Sequence, residues 1–206
     1  MSDTSEGRGK FQLWLIILMV ASVFVGGFLL IPSSEEEKTR LLNLLGTSNK
    51  GSLLIPTVPI AGLSLMQGDK PWRWAELKPK WRLVLPITNG CDQACKDMLY
   101  VSRQVHIRLD KKAHRVGRVL VNLGSPLDEE TLTFLQSEHV YLKLVSADRK
   151  AFIDLLEPTN ADWQDGATRQ FVQDQRGDLM MFYTPEHDGG DILTDLRHLL
   201  KYSPEP

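Results

Sequence analysis

The sequence predicts an α/β domain held at a membrane by one N-terminal helix. Three observations lead to this fold class. An uncharged apolar run occupies residues 11–31, short apolar strands alternate with amphipathic helices between residues 82 and 202, and a cysteine pair lies between the first of those strands and the first helix. Strands that alternate with helices favour parallel pairing and a sheet covered by helices on both faces.

The apolar run from Phe11 to Ile31 contains 21 residues and no charge. At ~1.5 Å rise per residue, about 20 apolar residues cross the hydrocarbon core of a membrane. A signal peptide has a shorter apolar region of about 7–15 residues and a small-residue cleavage site, whereas this run ends in Leu29–Pro32. We therefore expect an uncleaved transmembrane helix. The flanking cations do not orient it, because Arg8 and Lys10 are balanced by Lys38 and Arg40.

Composition divides the chain into four predicted segments. They are a tail at residues 1–10, the transmembrane helix at 11–31, a polar stalk at 32–52 with a short helix at 35–45, and one domain at 53–206. That domain is long enough to bury a core by itself. The net charge of −2 gives no reason to expect nucleic-acid binding. Two cysteines are too few for a disulfide-rich scaffold or a four-cysteine zinc site.

The domain opens with an extended segment, residues 53–81, that is rich in Pro, Gly and Trp. Its tryptophans Trp72, Trp74 and Trp81 alternate with lysines and arginines. Such a pattern fits a segment at lipid headgroups, but it also fits a β-hairpin whose long cationic side chains cover apolar surface. We favour the hairpin.

The regular elements then follow in the order β-α-β-α-β-α-β-β-α. The strands are predicted at 82–88, 118–123, 139–145, 170–173 and 178–183, and the helices at 92–109, from Ser125 onward, at 146–156 and at 190–202. In the first helix an apolar stripe marks the buried face; its members are Ala94, Met98, Val101, Val105 and Leu109. A sandwich that begins strand–CxxxC–helix and ends hairpin–helix is a thioredoxin-like arrangement.

The cysteine pair, Cys91 and Cys95, is the main candidate for chemistry. Cys91 follows the first core strand and the turn Asn89-Gly90, and Cys95 lies one helical turn further on the same face. The N-terminus of a helix stabilises a thiolate, which can attack disulfides or hold a soft metal. Cysteines at i and i+4 can also form a disulfide. Two small buried side chains or a static disulfide would be the alternative, but the position favours a functional pair.

A third ligand would separate metal binding from redox chemistry. The chain has five histidines, namely His106, His114, His139, His187 and His198. Only His187 directly follows the last hairpin strand. In a thioredoxin-like sheet this strand runs parallel to the strand before Cys91, so its end lies on the cysteine side. His187 is therefore a candidate metal ligand beside Cys91 and Cys95, although a loop histidine without that role fits equally well.

The stretch Trp81–Leu85, the pair in Cys91–Cys95, the element order and Phe171–Gly177 before a final helix together resemble the Sco/SenC family. The resemblance covers roughly residues 53–201. It implies a thioredoxin-like fold, a bacterial inner-membrane anchor with a cytoplasmic N-terminus and a periplasmic domain, and a part in building the copper site of cytochrome c oxidase. The implied partners are an oxidase subunit or another assembly factor, and the implied metal is copper.

Two departures from the family pattern change the expected chemistry. Asp92 stands where the family has Pro, and no His occurs between His139 and His187, where the family has its copper ligand near Gln170. These departures favour thiol–disulfide exchange over copper(I) delivery in the same assembly task. Cys91 would be the more exposed thiolate, and Cys95 the resolving partner or second copper ligand. A general membrane-tethered thiol–disulfide oxidoreductase and a non-catalytic thioredoxin-like scaffold are the alternatives.

Overall fold

The computed structural model describes residues 3–30 and 48–205. The chain divides into two compact units, Met1–Thr47 and Ser48–Pro206, which are described separately. The first contains helix α1, Asp3–Leu30. Its stretch Phe11–Phe28 is long and apolar enough to cross a membrane, and no other helix in the described parts of the chain is. The predicted N-terminal apolar helix is thus present, while the predicted helix at 35–45 lies outside the described residues.

The second unit contains one mixed sheet of eight strands. In chain order these are β1 Ser52–Pro59, β2 Leu65–Gln67, β3 Lys70–Trp72, β4 Trp81–Ile87, β5 Val116–Asn122, β6 Leu142–Ala147, β7 Gln170–Gln173 and β8 Asp178–Tyr183. The helices of this unit are α2 Gln93–Arg108, α3 Glu129–Glu138, α4 Arg149–Leu156 and α5 Gly189–Tyr202. The sheet order is β1-β8-β7-β4-β5-β6-β2-β3.

Strand directions give the sheet its thioredoxin-like centre. Strands β4, β5 and β6 are parallel, and β7 joins β4 in the antiparallel sense. Since β8 is antiparallel to β7, it runs in the same direction as β4. The predicted thioredoxin-like fold is confirmed, with β1, β2 and β3 added at the two outer sides of the sheet. Below, "carboxyl end" means the end of the sheet where β4, β5 and β6 finish, and "amino end" means the opposite one.

Alternation along β4 sends side chains into different cores on the two faces of the sheet. Val84 packs in the cluster of Phe152 and Leu156 from α4. Leu83 and Leu85 point the other way, toward the clusters that contain residues of α2, α3 and α5. Every residue of β4 is buried. A strand buried on both faces explains the nearly continuous apolar run Trp81–Ile87.

Some helix boundaries differ from the prediction. Helix α3 begins at Glu129 instead of Ser125, because the carboxylate of Asp128 accepts the backbone N–H of Thr131 and caps the helix. Helix α4 begins at Arg149 behind the cap Asp148, while Ser146 belongs to β6. Asp and Ser cap helices about equally well, so closely spaced candidates do not fix the first residue.

The buried face of α2 also differs from the predicted stripe. Ala94 and Val101 are only half-buried, whereas Leu99 and Ser102 are buried beside the expected Met98 and Val105. The helix packs both on the sheet and beside other helices, which widens its buried face. The extended segment before β4 does contain the predicted hairpin, formed by β2 and β3. Its neighbours Trp74 and Trp81 are buried.

The carboxylate of Asp195 on α5 fixes the start of the domain. It is 3% exposed and accepts the backbone N–H groups of Lys50 at 2.9 Å and Gly51 at 2.8 Å. It also accepts the hydroxyl of Tyr183 at 2.9 Å. Burial and the neighbouring Asp195 carboxylate raise the pKa of Tyr183, so this hydroxyl stays a donor. The three bonds tie the first residues of the domain to β8 and α5.

We predict that Asp195→Ala lowers the free energy of unfolding by about 2–4 kcal/mol, because three donors lose their acceptor in a buried site. The measurement is urea denaturation of the full chain in neutral detergent. Asp97→Ala is the matched control, since Asp97 is exposed and should cost about 0.5 kcal/mol or less. Equal losses for both variants would contradict the assigned role of Asp195.

Candidate functional site

The chain turns directly from the central strand into α2 at the carboxyl end of the sheet. After Ile87 ends β4, Gly90 adopts a positive φ of 79°, a conformation that favours glycine. Cys91 follows, Asp92 caps the helix and α2 begins at Gln93. Cys91 and Cys95 are joined by a disulfide, and their Cα atoms are 5.1 Å apart. The structure therefore brings together the two cysteines predicted as the site.

The two sulfur-bearing residues differ in access. Cys91 is 8% exposed and Cys95 is 2% exposed, and both pack with Ile87, Leu99 and Leu120. Cys91 is thus slightly more exposed than Cys95, while Cys95 lines the small cavity described below. The roles of Cys91 as the attacking thiol and Cys95 as the resolving one stay predictions.

Asp92 links the helix cap to the electrostatics of the pair. Its carboxylate oxygen Oδ1 accepts the backbone N–H of Cys95 at 2.9 Å. The N-terminus of α2 carries partial positive charge that stabilises a thiolate. The Asp92 carboxylate satisfies one of the free N–H groups there and adds a negative charge beside the sulfurs. A thiolate is thus less favoured here than at a helix start capped by a neutral residue.

The loop between α4 and β7 closes over the same place. A small cavity of about 70 Å³ is lined by Thr88, Asn89, Cys95, Trp163 and Thr168, among others. The indole N–H of Trp163 donates to the carbonyl of Ala167 at 2.8 Å, which holds the loop in shape. The hydroxyl of Thr88 is buried, and no described residue gives it a hydrogen-bond partner. The wall of the cavity beside the disulfide therefore contains a buried hydroxyl without a hydrogen-bond partner among the described residues.

This loop was not among the predicted site residues, although the topology contains a signal for it. Strand β7 is antiparallel to β4, with Phe171 opposite Val84. The start of β7 therefore lies at the carboxyl end of the sheet, directly beside β4. Any segment that leads into β7 must pass the cysteines. Strand direction therefore places residues 163–168 near the cysteines, whether or not a histidine is among them.

The backbone beneath the site is closely packed at Gly124. A Cβ atom at this position would lie 1.9 Å from the carbonyl oxygen of Thr88. Only glycine therefore allows the end of β5 to approach the turn that leads to Cys91. Asn122 completes the contact by accepting the N–H of Gly124 at 3.1 Å.

His187 lies at the predicted end of the sheet but not with the cysteines. Strand β8 does run in the direction of β4, yet β7 lies between them, and two strand spacings amount to about 10 Å. The Nδ1 atom of His187 accepts the backbone N–H of Thr184 at 3.1 Å, and its ring packs on Tyr183. Within the described ranges, no group of three or more His, Cys, Asp or Glu side chains is placed to hold a metal. A ligand role for His187 stays a prediction.

Two other histidines, His139 and His106, have structural hydrogen bonds away from the disulfide. Burial, followed by the charge of Arg118, lowers the pKa of His139 to about 4. Its neutral Nδ1 can therefore accept from Arg118. Burial also lowers the pKa of His106, whose Nε2 donates to the carbonyl of Val116. Val116 begins β5, so His106 lies at the amino end, away from the cysteines.

A family model described as "Transmembrane-like, thioredoxin-like, C-terminal domain" matches residues 81–203. The match begins with β4 and includes α5, so it contains the disulfide and covers more than half of the chain. The chain belongs to this family. No curated protein matches the chain. Membership in this transmembrane-like, thioredoxin-like family agrees with the sheet order and with the single apolar helix that precedes the domain.

Solved structures of Sco proteins have the same fold. The apo Sco1 protein from Thermus thermophilus is 18% identical, with 75% of this chain and 99% of that chain covered and a TM-score of 0.56. Copper-bound ScoI from Arabidopsis thaliana is 13% identical, with 74% and 99% covered and a TM-score of 0.54. BsSco is 13% identical, with 72% and 96% covered and a TM-score of 0.54. The predicted resemblance to Sco/SenC is thus confirmed in the fold.

We predict that Asp92→Ser raises the reduction potential of the pair by about 10–30 mV at pH 8. Serine preserves the cap, while the loss of the carboxylate stabilises the thiolate of the reduced form. Equilibration of the full chain with dithiothreitol measures the shift. Asp128→Ser makes the same change at the cap of α3 and should leave the potential unchanged. Equal shifts in both variants would contradict a local effect of Asp92.

Proposed function

We propose that the chain is a membrane-anchored Sco-like assembly factor for cytochrome c oxidase that acts by thiol–disulfide exchange through Cys91 and Cys95. The observation that carries this proposal is the disulfide itself. It lies between the central strand and the start of α2, with one cysteine more accessible than the other. The described part of the chain groups no third metal-binding side chain with it.

The reaction follows from the different access of the two cysteines. In the reduced protein, the Cys91 thiolate attacks a disulfide on the client, forming a mixed disulfide and releasing one client thiolate. The Cys95 thiolate then attacks Cys91 Sγ, which releases the second client thiolate and forms the observed Cys91–Cys95 bond. Two electrons pass from the chain to the client. To reduce the Cys91–Cys95 bond again, a periplasmic dithiol must supply two electrons and itself become a disulfide. A reduced client with two free thiolates is ready to receive copper.

The similar structures support this choice of task. BsSco is a member of the Sco family of cytochrome c oxidase assembly proteins and contains a disulfide switch. The pair in the present chain occurs as the disulfide, which is one state of such a switch. Asp92 and the missing histidine before Gln170 are the reasons to place exchange ahead of metal delivery here.

The proposed location is the bacterial inner membrane, with a cytoplasmic N-terminus and a periplasmic domain. The flanking cations do not orient the apolar helix α1, but the disulfide supports a periplasmic domain. Disulfides persist in the periplasm and are rare in the cytosol. A tether would also hold the pair near a client that is itself embedded in the membrane. The proposed partners are an oxidase subunit or another assembly factor.

Copper(I) as a cargo is the second candidate. Structures of Arabidopsis ScoI and yeast Sco1 contain copper, and the reduced pair would offer two thiolates, which are ligands that copper(I) prefers. A three-ligand site would need His187 to leave Thr184 and cross the width of β7. Copper(I) held by Cys91 and Cys95 alone needs no such movement.

The trapping of a mixed disulfide tests the exchange reaction. We expect Cys95→Ser to accumulate a covalent complex with the client, because Cys91 can still attack but nothing resolves the product. Cys91→Ser should form no such complex, since the enclosed Cys95 is the poorer nucleophile for an external disulfide. The measurement is non-reducing electrophoresis of membranes that contain the full chain. If neither variant is trapped, or both are trapped equally, the assigned roles are wrong.

The double variant Cys91→Ser/Cys95→Ser separates exchange from a scaffold role. We expect loss of oxidase copper-site assembly while the level of the protein in the membrane is unchanged. Normal assembly with both cysteines replaced would mean that the chain is a scaffold. Turnover of unrelated model disulfides at the same rate as the client would instead favour a general oxidoreductase.

Titration of the reduced full chain with copper(I) tests the cargo alternative. Binding that is lost in Cys95→Ser and weakened about tenfold in His187→Ala would establish a three-ligand site. Binding that is lost in Cys95→Ser but unchanged in His187→Ala would leave a two-thiolate site. If the wild-type chain shows no binding, the copper cargo is excluded and exchange stands alone.

A further inference from the structure

A second cavity lies at the amino end of the sheet, opposite the disulfide. Its volume is about 510 Å³, and it is lined by residues at the starts of β4, β5 and β6. Pockets that bind small molecules occupy about 300–1,000 Å³. This cavity therefore has the size of a ligand site. None of its lining residues belongs to the redox site described above.

The charge around this cavity is of one sign. Of the described residues that line it, five are Lys or Arg, two are His and none is acidic. The five are Lys78, Lys80, Arg82, Arg118 and Lys143. No ion pair found within the described ranges involves any of them. This local excess of positive charge contrasts with the overall net charge of −2.

Arg82 is one of the two buried cations in this lining, and it is 7% exposed. Its guanidinium donates to the carbonyls of Lys78 and Lys80 at 2.9 and 3.1 Å. Its face lies 5.1 Å from the ring of Trp74. A guanidinium has five N–H donors, so these bonds leave several without a partner. Burial lowers the pKa of Arg82 to about 10, and the group is still charged at neutral pH.

Arg118 adds a second buried charge but turns its donors elsewhere. It is 4% exposed and donates to the carbonyl of Leu99, the hydroxyl of Ser102 and Nδ1 of His139. No carboxylate of the described chain is within ion-pair distance of either arginine. A buried charge without a counter-ion is costly. An anion in the cavity would offset this cost most directly at Arg82, which keeps N–H donors that no described residue accepts.

The rest of the lining is apolar. Val116 and Val119 are buried parts of β5, and Trp72 and Leu77 are half-buried. Tyr141 is 79% exposed and also lines the cavity. An inorganic anion alone would leave this apolar surface exposed to water. The lining therefore matches a ligand with two parts, a negative head and an apolar body.

We propose that this cavity binds an amphiphilic anion, with a phosphate or carboxylate head near Arg82 and the exposed lysines and an apolar body on the β5 surface. The site is separate from the thiol–disulfide chemistry and does not depend on it. The same chemistry is available from an anionic membrane phospholipid and from a soluble alkyl phosphate or carboxylate.

Calorimetry with hexyl phosphate tests the site. The full chain is placed in phosphatidylcholine nanodiscs, and empty nanodiscs supply the background. We expect saturable one-site binding, at least about tenfold tighter than that of inorganic phosphate or of hexanol, because only hexyl phosphate has both parts. An affinity equal to that of either fragment, or no binding above empty nanodiscs, would overturn the proposal.

A pair of double variants provides the matched control. Lys78→Ser/Lys143→Ser removes two exposed cations of the cavity, and Lys150→Ser/Lys201→Ser removes two exposed cations elsewhere. We expect the first to weaken hexyl phosphate binding at least about fivefold and the second to leave it unchanged. Equal weakening would mean that only the overall charge matters and would overturn the site.

Native mass spectrometry of the chain extracted from membranes in neutral detergent identifies the source of the ligand. An anionic phospholipid that is retained by the wild type and by Lys150→Ser/Lys201→Ser, but lost from Lys78→Ser/Lys143→Ser, assigns the site to a lipid. Absence of bound lipid, together with hexyl phosphate binding, assigns it to a soluble amphiphile. Lipid retained equally by all three proteins would overturn the proposed site.

Discussion

The pairing of β4 on both of its sides is the constraint on which the domain depends. The strand has seven residues, all buried, with parallel β5 on one side and antiparallel β7 on the other. The parallel partner requires a crossover, which becomes α2 and begins at the cysteines. The antiparallel partner brings the loop at residues 163–168 to the same end of the sheet. The disulfide and the loop that covers it therefore meet because of strand direction.

Asp92 shows how one local requirement can influence chemistry. A helix that starts directly after a strand needs an acceptor for its first free N–H groups. Asp92 supplies one to Cys95, and the acceptor carries a full negative charge. The Asp92 carboxylate that caps the helix therefore disfavours a nearby thiolate, whereas the partial positive charge of the helix N-terminus favours it. The balance between these two effects sets how readily the pair is reduced.

The features that local rules determine could be predicted from the sequence. The hairpin at 170–173 and 178–183 was placed correctly because Asp174 and Gly177 form a turn, in which the Asp174 carboxylate accepts three backbone N–H groups. The position of the cysteines at the strand-to-helix turn was predicted for the same reason. Trp163 and Thr168 reach the site only through the tertiary fold, so no local sequence pattern around them predicts this position. For His187 the direction of the strand was right, while its role as a ligand stays a prediction.

The separation of the two ends of the sheet limits how the two sites can communicate. Strand β4 has seven residues, and at about 3.3 Å per residue it spans roughly 20 Å. At that distance and an effective dielectric of about 20, two unit charges interact by about 1 kcal/mol or less. An anion near Arg82 therefore has only a small direct effect on a thiolate at Cys91. Any larger coupling would have to pass through β4, which is buried along its whole length. The positive cavity and the disulfide are therefore best regarded as two independent sites, and occupancy of the first would leave the proposed exchange reaction at the second largely unchanged.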